Sequence, residues 1–459
     1  MTAPSTSSAD IVICGAGIAG TALAYHLAAR RGVRNVLLLD EREPLTLTSD
    51  KGTQGYRNWW PGPDATMLRY VTRSLDILEE MADESGNVFR LNRRGYVLLT
   101  ADEEGVERLR STAGEVSAYG MGPVREHLGP KYYVPAPAEG YQDQPTGADL
   151  LIGDAARLVE PGLARDVKAA LHVRRAGWLN AVALGSWMLK RAVGAGVRFV
   201  RDGVTGFRVE SGRVRGVRLA SGGTIACDRV AIAAGPELAD VARMLDIELC
   251  VFLELHAKLL FRDIRRLVSR AAPFLIWTDP VELPWTAAER DTLARRPETR
   301  RLLTPFPGGV HLRTLDGLHG DELLLIWTHD VEERPFAWPP NFDPYYGEIA
   351  LRGAARMLPA LSAYIGEGLS PRGYVDGGYY CKTRENRPLV GPLPVEGAYV
   401  LGALSGYGIM GAHAGADLLA AHLTGGPLPE YAPWFLPSRY EDPAYRARIE
   451  SWGALAGQL

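Results

Sequence analysis

The stretch Ile11-Val-Ile-Cys-Gly-Ala-Gly-Ile-Ala-Gly20 decides the fold of this chain. An apolar run enters three glycines spaced G-x-G-x-x-G, and a helical pattern follows over about residues 18–31. This order predicts a strand, a tight turn and a helix that begins at the turn. Gly15 allows the turn, Gly17 lets a pyrophosphate approach the backbone, and Gly20 lets the helix pack on the strand.

A second predicted strand, Asn35-Val-Leu-Leu-Leu-Asp40, supplies the context that the glycine motif needs. Asp40 follows Gly15 by 25 residues, close to the roughly 20 expected for a carboxylate that binds a ribose hydroxyl. Glu41 is adjacent and could share this role. A plain β-α-β unit with chance glycines is the simpler alternative. An acid at this place would repel a 2′-phosphate, so NADP is disfavoured and the choice between NAD and FAD stays open.

Length and composition indicate a globular protein of two domains. The chain has 459 residues, with 46% hydrophobic and 23% charged residues and a net charge of −3. This weak charge does not favour nucleic acid as a partner. No apolar run reaches the roughly 18 residues that a membrane span requires, and the polar N-terminus lacks a signal region. Four scattered cysteines without metal spacing suit a reducing cytoplasm: Cys14, Cys227, Cys250 and Cys381.

The pattern along the chain changes near residue 248. Before it, the sequence predicts helices after Asp64 and over about 179–195, and a hairpin over 207–220. From about 248 to 330, apolar β-like runs recur around a charged, helix-like insertion at 286–301. This texture predicts a mostly antiparallel sheet in a second domain. The tail from 428 is rich in proline and aromatic residues and is expected to be irregular coil.

Three distant segments, taken together with the first glycine motif, carry a resemblance. They are Val230-Ala-Ile-Ala-Ala-Gly-Pro236, Tyr380-Cys-Lys-Thr-Arg-Glu-Asn-Arg-Pro-Leu-Val-Gly391 and Gly402-Ala-Leu-Ser-Gly-Tyr-Gly408. Their order resembles the D-amino-acid oxidase superfamily of FAD flavoproteins, on its glycine oxidase, sarcosine oxidase and dimethylglycine dehydrogenase side. The resemblance covers nearly the whole chain outside 262–310 and the tail. Each motif alone is weak, but together they are specific for FAD.

The resemblance implies an α/β fold with a discontinuous, glutathione-reductase-like Rossmann FAD domain and an antiparallel β-sheet substrate domain. It assigns residues 1–86, 150–247 and 370–430 to the FAD domain. Residues 87–149 and 248–369 then form the substrate domain, and 431–459 form a C-terminal tail. One further segment, 151–162, is similar to a motif of aromatic hydroxylases, but its place in the chain better predicts a helical turn before a strand.

The resemblance also implies which residues hold FAD. The helix N-terminus would bind the pyrophosphate, Asp40 and Glu41 the ribose, an early loop the pyrophosphate and flavin, and the last helix the flavin pyrimidine. The other implied residues are Gly15, Ala16, Gly17, Ile18, Ala19, Gly20, Ser49, Thr53, Gln54, Val204, Ala234, Gly235, Gly406, Gly408, Ile409 and Met410. A covalent flavin is not expected, because the early loop has no histidine and Cys381 is about three residues from the usual position.

Departures from the family pattern bear on the substrate. Sarcosine oxidases bind the substrate carboxylate with an arginine, which Arg57 matches, and with a lysine, at whose place Met410 stands. Glycine oxidase uses a different arginine, and Tyr380 takes that place. One carboxylate anchor therefore remains. The alternative role of Arg57 is an ion pair with Asp50 or Asp64 that holds the loop.

Other candidate residues follow from the same alignment of motifs. Tyr407 replaces the histidine of the family's G-x-S-G-H-G motif, and Tyr380 is a candidate for shaping the amine site. His311, on a predicted strand, could be a base or an amine contact, although a structural histidine is the simpler reading. The oxygen-activating lysine of sarcosine oxidases would fall at Leu324 or Leu325, which favours a dehydrogenase or a slow oxidase.

The sequence thus predicts an FAD-dependent oxidoreductase that oxidises a C–N bond by hydride transfer to flavin N5. The expected substrate is a secondary or tertiary amine or an amino acid, and oxygen or an electron-transfer partner would reoxidise the flavin. Two alternatives stay open: an FAD monooxygenase that uses NAD(P)H, and a flavoprotein with a non-catalytic assembly role.

Overall fold

The fold was obtained as a computed structural model, which describes residues 8–315, 319–366 and 373–452. Its strands are numbered in chain order: β1 (Ile11–Cys14), β2 (Val36–Asp40), β3 (Gly55–Arg57), β4 (Tyr96–Thr100), β5 (Val124–His127), β6 (Ala148–Ile152), β7 (Ala169–Val173), β8 (Ala176–Trp178), β9 (Arg198–Arg201), β10 (Val204–Glu210), β11 (Arg213–Leu219), β12 (Thr224–Ala226), β13 (Arg229–Ile232), β14 (Phe252–Arg262), β15 (Phe274–Trp277), β16 (Val310–Thr314), β17 (Glu322–Trp327), β18 (Tyr374–Lys382), β19 (Leu389–Pro392) and β20 (Ala398–Gly402).

The α-helices are α1 (Ile18–Tyr25), α2 (Thr66–Ser85), α3 (Glu103–Val116), α4 (Ala181–Gly194), α5 (Leu238–Arg243), α6 (Ala287–Ala294), α7 (Pro297–Arg300), α8 (Tyr346–Met357), α9 (Gly408–Thr424) and α10 (Pro443–Ser451). A π-helical turn, His26–Arg30, continues α1, so the helical pattern predicted over 18–31 is present in two geometries.

A mostly parallel sheet of six strands forms the first layer, in the order β19-β20-β13-β1-β2-β9. Strand β1 lies in its middle, paired in parallel with β2 and β13. All four residues of β1 are buried, as expected for a parallel strand covered on both faces. Helices α1, α2, α4 and α9 pack together beside this sheet. The predicted strand-turn-helix and its neighbouring strand are therefore confirmed.

A nine-stranded, mostly antiparallel sheet forms the second layer, in the order β18-β14-β17-β16-β15-β4-β7-β6-β5. Side chains alternate between its two faces. One face, with Leu323, Leu325 and Trp327 of β17, packs against α8 in its own apolar core. The opposite face of the same strands carries Ile326 and the residues that line the candidate site described below.

Sheet membership differs from the predicted domain division at two places. Strand β7 (Ala169–Val173) falls in a segment assigned to the FAD domain, but it pairs with β4 and β6 of the nine-stranded sheet. Strand β18 (Tyr374–Lys382) likewise pairs with β14. The reason is that the local sequence of a strand does not specify which sheet it joins, and only long-range pairing decides between them.

Two other segments were predicted with different success. The 3₁₀ turn Gly153–Leu158 precedes β7, as expected from the place of segment 151–162 in the chain. The tail, which was expected to be irregular coil, instead forms two 3₁₀ turns, Ala432–Phe435 and Pro437–Glu441, and then α10. A proline is the first or second residue of each of these segments, a position that suits proline because its missing N–H has no helical partner there.

Candidate active site

A long cleft opens at the carboxyl ends of the parallel strands, the edge where open α/β sheets bind their ligands. It has a volume of about 240 Å³ between the ends of β1, β2, β13 and β20 and the loop after β2. Among the predicted cofactor residues, these line it: Gly15, Gly17, Ile18, Ala19, Asp40, Glu41, Ser49, Gln54, Val204, Ala234, Gly235, Gly406, Gly408 and Ile409. Ala16, Gly20, Thr53 and Met410 do not, so for these four a direct contact with the cofactor is not expected.

Each of the three glycines of the first turn is needed for its own physical reason. A Cβ atom on Gly15 would lie 2.4 Å from Ala233 O, and one on Gly20 would lie 1.8 Å from Gly15 O, so the fold itself requires both. A Cβ atom on Gly17 would meet only Ser49 Oγ, at 3.4 Å. Since protein contacts do not demand Gly17, its missing side chain serves to leave room in the cleft.

The start of α1 borders this space, since Gly17, Ile18 and Ala19 line it. Helix N-termini attract anions, because their first N–H groups lack intrahelical partners and carry partial positive charge. The Ser49 hydroxyl accepts a hydrogen bond from Ile18 N at 2.9 Å and so ties the loop after β2 to the helix start. Serine at this position holds the cleft in shape as well as lining it.

Asp40 and its neighbours form the far end of the cleft. One oxygen of the Asp40 carboxylate accepts a hydrogen bond from Ala16 N at 2.7 Å, and the other accepts one from Arg42 N at 2.9 Å. Both oxygens keep a further lone pair for hydroxyl donors. Glu41 is exposed and forms an ion pair with Arg42, which also contacts Glu237 at 3.0 Å. Sequence reasoning missed the pair of Arg42 and Glu237, since their 195-residue separation leaves no local signal.

The opposite end of the cleft is formed by the turn before α9. The 3₁₀ turn Ser405–Tyr407 leads directly into α9, so the positive end of this helix faces the cleft at Gly408. Four non-glycine residues that line the cleft have a positive φ: Leu45 (69°), Gln54 (55°), Ala403 (53°) and Ser405 (48°). Such conformations cost about 1–3 kcal/mol each and concentrate at functional sites.

A second, smaller cavity of about 80 Å³ adjoins this end of the cleft. The two spaces share Tyr380, Ser405 and Gly406 as lining residues. The remaining residues around the small cavity are Thr53, Arg57, Tyr96, His256, His311, Ile326, Thr328, Asn386 and Tyr407. The four predicted substrate-site residues, Arg57, Tyr380, Tyr407 and His311, are therefore brought together here from separate parts of the chain.

The guanidinium of Arg57 has aromatic neighbours and no acidic partner among the described residues. Its Cζ lies 5.8 Å from the ring centroid of Trp60 and 5.9 Å from that of Tyr96. Its Nε is buried without a hydrogen-bond partner. Burial lowers the pKa of Arg57, and the nearby phenols of Tyr96 and Tyr407 only partly oppose this effect. The site thus holds a cation that an anion would stabilise.

The alternative role of Arg57, an ion pair with an acid of the early loop, does not occur. Asp64 forms a bidentate pair with Arg387, with both oxygens 2.8 Å from Nη2. Asp50 lies beside Lys51, whose Nζ also contacts Asp376 at 3.0 Å. Lys51 thereby connects the loop to β18.

His311 lines the cavity in a neutral form. Its Nδ1 lies 2.7 Å from Gly309 O, so Nδ1 carries the hydrogen and Nε2 is left as an acceptor. Burial lowers the pKa of His311 to about 4, and the Arg57 cation contributes to the lowering. This histidine can accept a hydrogen bond, but it holds a proton poorly near neutral pH.

Two tyrosines border the cavity from opposite sides. The ring of Tyr380 stacks on that of His256, with centroids 4.1 Å apart and an 18° angle between the planes. A Cβ atom on Gly406 would lie 2.7 Å from the Tyr380 ring, so glycine is needed there for close packing. Tyr407 donates its hydroxyl hydrogen to Asn386 O at 3.0 Å and packs edge-on against Trp60 at 5.0 Å.

Strand β17 contributes apolar side chains to the cavity-facing side of the sheet. Leu324, one of the two positions where a lysine would occur in sarcosine oxidases, alternates with Leu325 and so shares the face of Ile326. A lysine does lie on this face, but on the neighbouring strand: Lys258 is paired with Ile326. Its Nζ donates to Asp50 O at 2.5 Å and thus supports the early loop.

Comparison with known proteins assigns this geometry to a family. The profile described as DAO, "FAD dependent oxidoreductase", matches residues 10–422. The chain belongs to the FAD dependent oxidoreductase family. The structure of L-proline dehydrogenase from P. horikoshii has a TM-score of 0.73 at 19% identity, covering 95% of this chain and 99% of that chain. Glycine oxidase from Geobacillus kaustophilus has a TM-score of 0.70 at 17% identity, covering 94% and 99%. These likenesses concern the fold.

One curated relative is similar in sequence over a short stretch. It is mitochondrial dimethylglycine dehydrogenase of Rattus norvegicus, 33% identical over 103 residues. The match covers 22% of this chain and 12% of that relative's length, so it carries no statement about the activity of the whole protein.

FAD is the cofactor of this FAD dependent oxidoreductase, and the cleft fits it. The room left by Gly17 suits a pyrophosphate at the start of α1, and the carboxylate of Asp40 suits ribose hydroxyls. Cys381 also lines the cleft, but burial raises the pKa of its thiol to about 12. Because the thiolate is the nucleophile, this cysteine is poorly suited to bond the flavin, which agrees with non-covalent FAD.

The helices of this oxidoreductase can be compared with what a membrane span requires. Within residues 8–315, 319–366 and 373–452, none of the helices has the length and apolar character needed to cross a membrane.

Proposed function

We propose that this protein oxidises a C–N bond in an amine that carries a carboxylate, namely a secondary or tertiary amine or an amino acid. The observation that carries the proposal is Arg57, a cation in the small cavity with no acidic partner among the described residues. A substrate carboxylate would supply the missing negative charge. Charge-assisted hydrogen bonds to arginine are among the stronger polar contacts in proteins.

The chemistry that FAD supplies when bound is the acceptance, at flavin N5, of a hydride equivalent from the carbon next to nitrogen. The residues of the chain then have to orient the substrate and keep its nitrogen uncharged. Arg57 would bind the carboxylate. The rings of Tyr380 and Tyr407 would face a nitrogen that becomes partly cationic, a charge that aromatic faces favour. His311 Nε2 would accept a hydrogen bond from the amine.

We also propose that an electron-transfer partner, rather than oxygen, is the faster acceptor. Two observations support this: Leu324 stands at a place where sarcosine oxidases have a lysine, and the nearby Lys258 is held by Asp50 O at 2.5 Å. Admission of air after anaerobic reduction would test it. Slow return of the flavin colour in air, with fast return on adding an artificial one-electron dye, is the expected result.

The central test is anaerobic mixing of the purified holoprotein with N-methyl amino acids, cyclic imino acids and simple amines, following the loss of visible flavin absorbance. Bleaching is expected with carboxylated amines. In Arg57→Ala, the concentration for half-maximal bleaching should rise roughly 10- to 100-fold, since a hydrogen bond to a charged group contributes about 1.5–3 kcal/mol.

Two controls make the test specific. Arg57→Lys should restore part of the affinity, because it keeps the charge and loses the bidentate geometry. Arg69→Ala removes an exposed arginine whose side chain is 56% accessible, and it should change nothing. Bleaching by NADPH but by none of the amines would contradict the proposal and favour a monooxygenase.

A further inference from the structure

Glu254, His256 and Thr328 form a buried hydrogen-bond chain beside the candidate substrate cavity. His256 Nε2 lies 2.9 Å from Glu254 Oε2, and His256 Nδ1 lies 3.1 Å from Thr328 Oγ1. Glu254 and His256 are two residues apart on β14 and hence share a face of the sheet. Both have less than 6% of their surface exposed.

The partners fix which nitrogen of His256 holds the hydrogen. A carboxylate can only accept, so Nε2 carries the hydrogen and donates it to Glu254. Nδ1 is therefore an acceptor, and the Thr328 hydroxyl donates to it. Glu254 is kept ionised, because hydrogen bonds from His256 and from Lys382, whose Nζ is 2.9 Å away, lower its pKa against the effect of burial.

Two residues of this hydrogen-bond chain also line two neighbouring cavities. His256 and Thr328 line the small cavity that contains Arg57, and they line a second cavity with Asp330 and Tyr346 on its other side. The second cavity shares Asp330 with an open surface cleft. A proton that reached His256 would thus have a polar route toward solvent that does not pass through the cofactor cleft.

We propose that Thr328 and His256 remove the proton that a substrate ammonium brings into the cavity, with Glu254 stabilising the resulting imidazolium. This rests on the proposed amine oxidation. The substrate N–H bond breaks and its electron pair stays on nitrogen. That proton bonds to Thr328 Oγ1, while the hydroxyl hydrogen of Thr328 passes to His256 Nδ1. The amine left behind is neutral, as loss of hydride from the neighbouring carbon requires.

The contrast with His311 explains why His256 has this role. His311 faces the Arg57 cation and a backbone carbonyl, whereas His256 has a carboxylate partner. Burial lowers the pKa of His256 as well, but Glu254 opposes the lowering. His256 therefore rests neutral and has a built-in counter-charge for a proton. The other titratable or charged groups around it are Lys382, Tyr380, Asp330, His329, Arg334, Asp343 and Tyr346, and in the small cavity Arg57, Tyr96, His311 and Tyr407.

The test compares the rate of anaerobic flavin bleaching across pH, using the carboxylated amine that bleaches the wild-type holoenzyme fastest. In the wild type, the rate should rise with pH through an apparent pKa well below that of the free amine. In His256→Gln, it should fall about 100-fold near neutral pH, a typical loss of general-base catalysis. It should recover at high pH, where the amine is already neutral.

Two variants and a chemical control separate proton transfer from structural support. Thr328→Val removes the hydroxyl that passes the proton to His256, at nearly constant volume. Its pH profile of the bleaching rate should change in the same direction as that of His256→Gln. Glu254→Gln should lower the apparent pKa. Added imidazole should restore bleaching in His256→Ala. The matched control is His127→Gln, which alters another buried histidine–carboxylate pair, 2.8 Å from Asp149, on the far edge strand β5. It should keep the wild-type profile.

The outcomes distinguish the two proposals. A wild-type holoenzyme that no carboxylated amine bleaches would overturn the proposed function. Bleaching of the wild type with unchanged pH profiles in both His256→Gln and Thr328→Val would overturn only the proton-transfer proposal. Thr328→Val is nearly isosteric. If His256→Gln does not fold, the pH profile of Thr328→Val alone decides the proton-transfer proposal.

Discussion

The carboxylate of Glu385 receives two hydrogen bonds from Arg439, at 3.1 Å from Nε and 2.7 Å from Nη2. Both side chains are almost fully buried. Arg439 belongs to the tail, and Glu385 lies one residue before Asn386, whose carbonyl oxygen accepts the hydrogen bond from Tyr407. The tail is thereby linked through a buried ion pair to a residue of the candidate substrate cavity.

Arg439→Met is expected to reduce the free energy of unfolding by about 3 kcal/mol, because the buried Glu385 carboxylate loses its counter-charge and keeps only the hydroxyls of Tyr440 and Tyr445 as donors. The double variant Glu385→Met/Arg439→Met should be more stable than this single variant, since no charge is then left buried. Urea unfolding of the holoprotein measures both. Arg69→Met is the control, because its exposed pair with Glu430 should contribute less than about 1 kcal/mol. Equal stability of the single variant and the wild type would contradict the prediction.

Gly17 and Gly20 of the G-x-G-x-x-G motif should respond differently to substitution by alanine. Gly17→Ala adds a Cβ atom that only Ser49 Oγ approaches, at 3.4 Å, so the apoprotein should fold. The added methyl group fills the cleft, and FAD affinity should fall at least about tenfold. Gly20→Ala puts a Cβ atom 1.8 Å from Gly15 O and should prevent normal folding.

Circular dichroism of the apoproteins and fluorescence titration with FAD would separate these effects. The expected pattern is a folded, weakly binding Gly17→Ala protein and a misfolded Gly20→Ala protein. Tight FAD binding by Gly17→Ala would show that the cleft has no need of space at that residue, and the placement of the pyrophosphate there would be wrong.

The parts of the fold that could be predicted are those that depend on local sequence. The G-x-G-x-x-G turn, β2 ending in Asp40 and the turn at Gly406 depend on backbone requirements that glycine and a strand-end acid reveal directly. Gly15, Gly17, Asp40 and Gly406 indeed line the cleft. Met410, predicted to lie with them, is instead fully buried and accepts a hydrogen bond from Arg57 N.

Long-range partners account for what the sequence did not predict. Glu385 and Arg387 belong to a charged segment of the kind that is usually solvated, yet both residues are buried. Their partners, Arg439 and Asp64, lie 54 and 323 residues away. The partner of His256 is distant as well, because Thr328 is 72 residues away. A periodic pattern of apolar residues does not reveal pairs that are so far apart in the sequence.

Acid should destabilise the protein through histidines that are buried in the neutral form, and His172 illustrates the sign. Its Nδ1 accepts a hydrogen bond from Tyr133 at 2.9 Å, and its Nε2 lies 3.0 Å from Arg94 O. Burial, with a contribution from Arg174, lowers its pKa to about 3, from an ordinary value of 6.5. Below pH 6.5 the unfolded chain therefore binds a proton that the folded protein does not, and stability falls as pH falls.

Between about pH 7.5 and about pH 5.5, His172 alone should remove about 1.4 kcal/mol of folding free energy, the value of one pKa unit. In His172→Gln, the loss over the same interval should be smaller by this amount, whatever the absolute stability of the variant. Urea unfolding of both holoproteins at the two pH values measures the difference. An equal loss in the two proteins would mean that His172 takes up a proton in the folded state, and that its hydrogen bonds to Tyr133 and Arg94 do not hold it neutral.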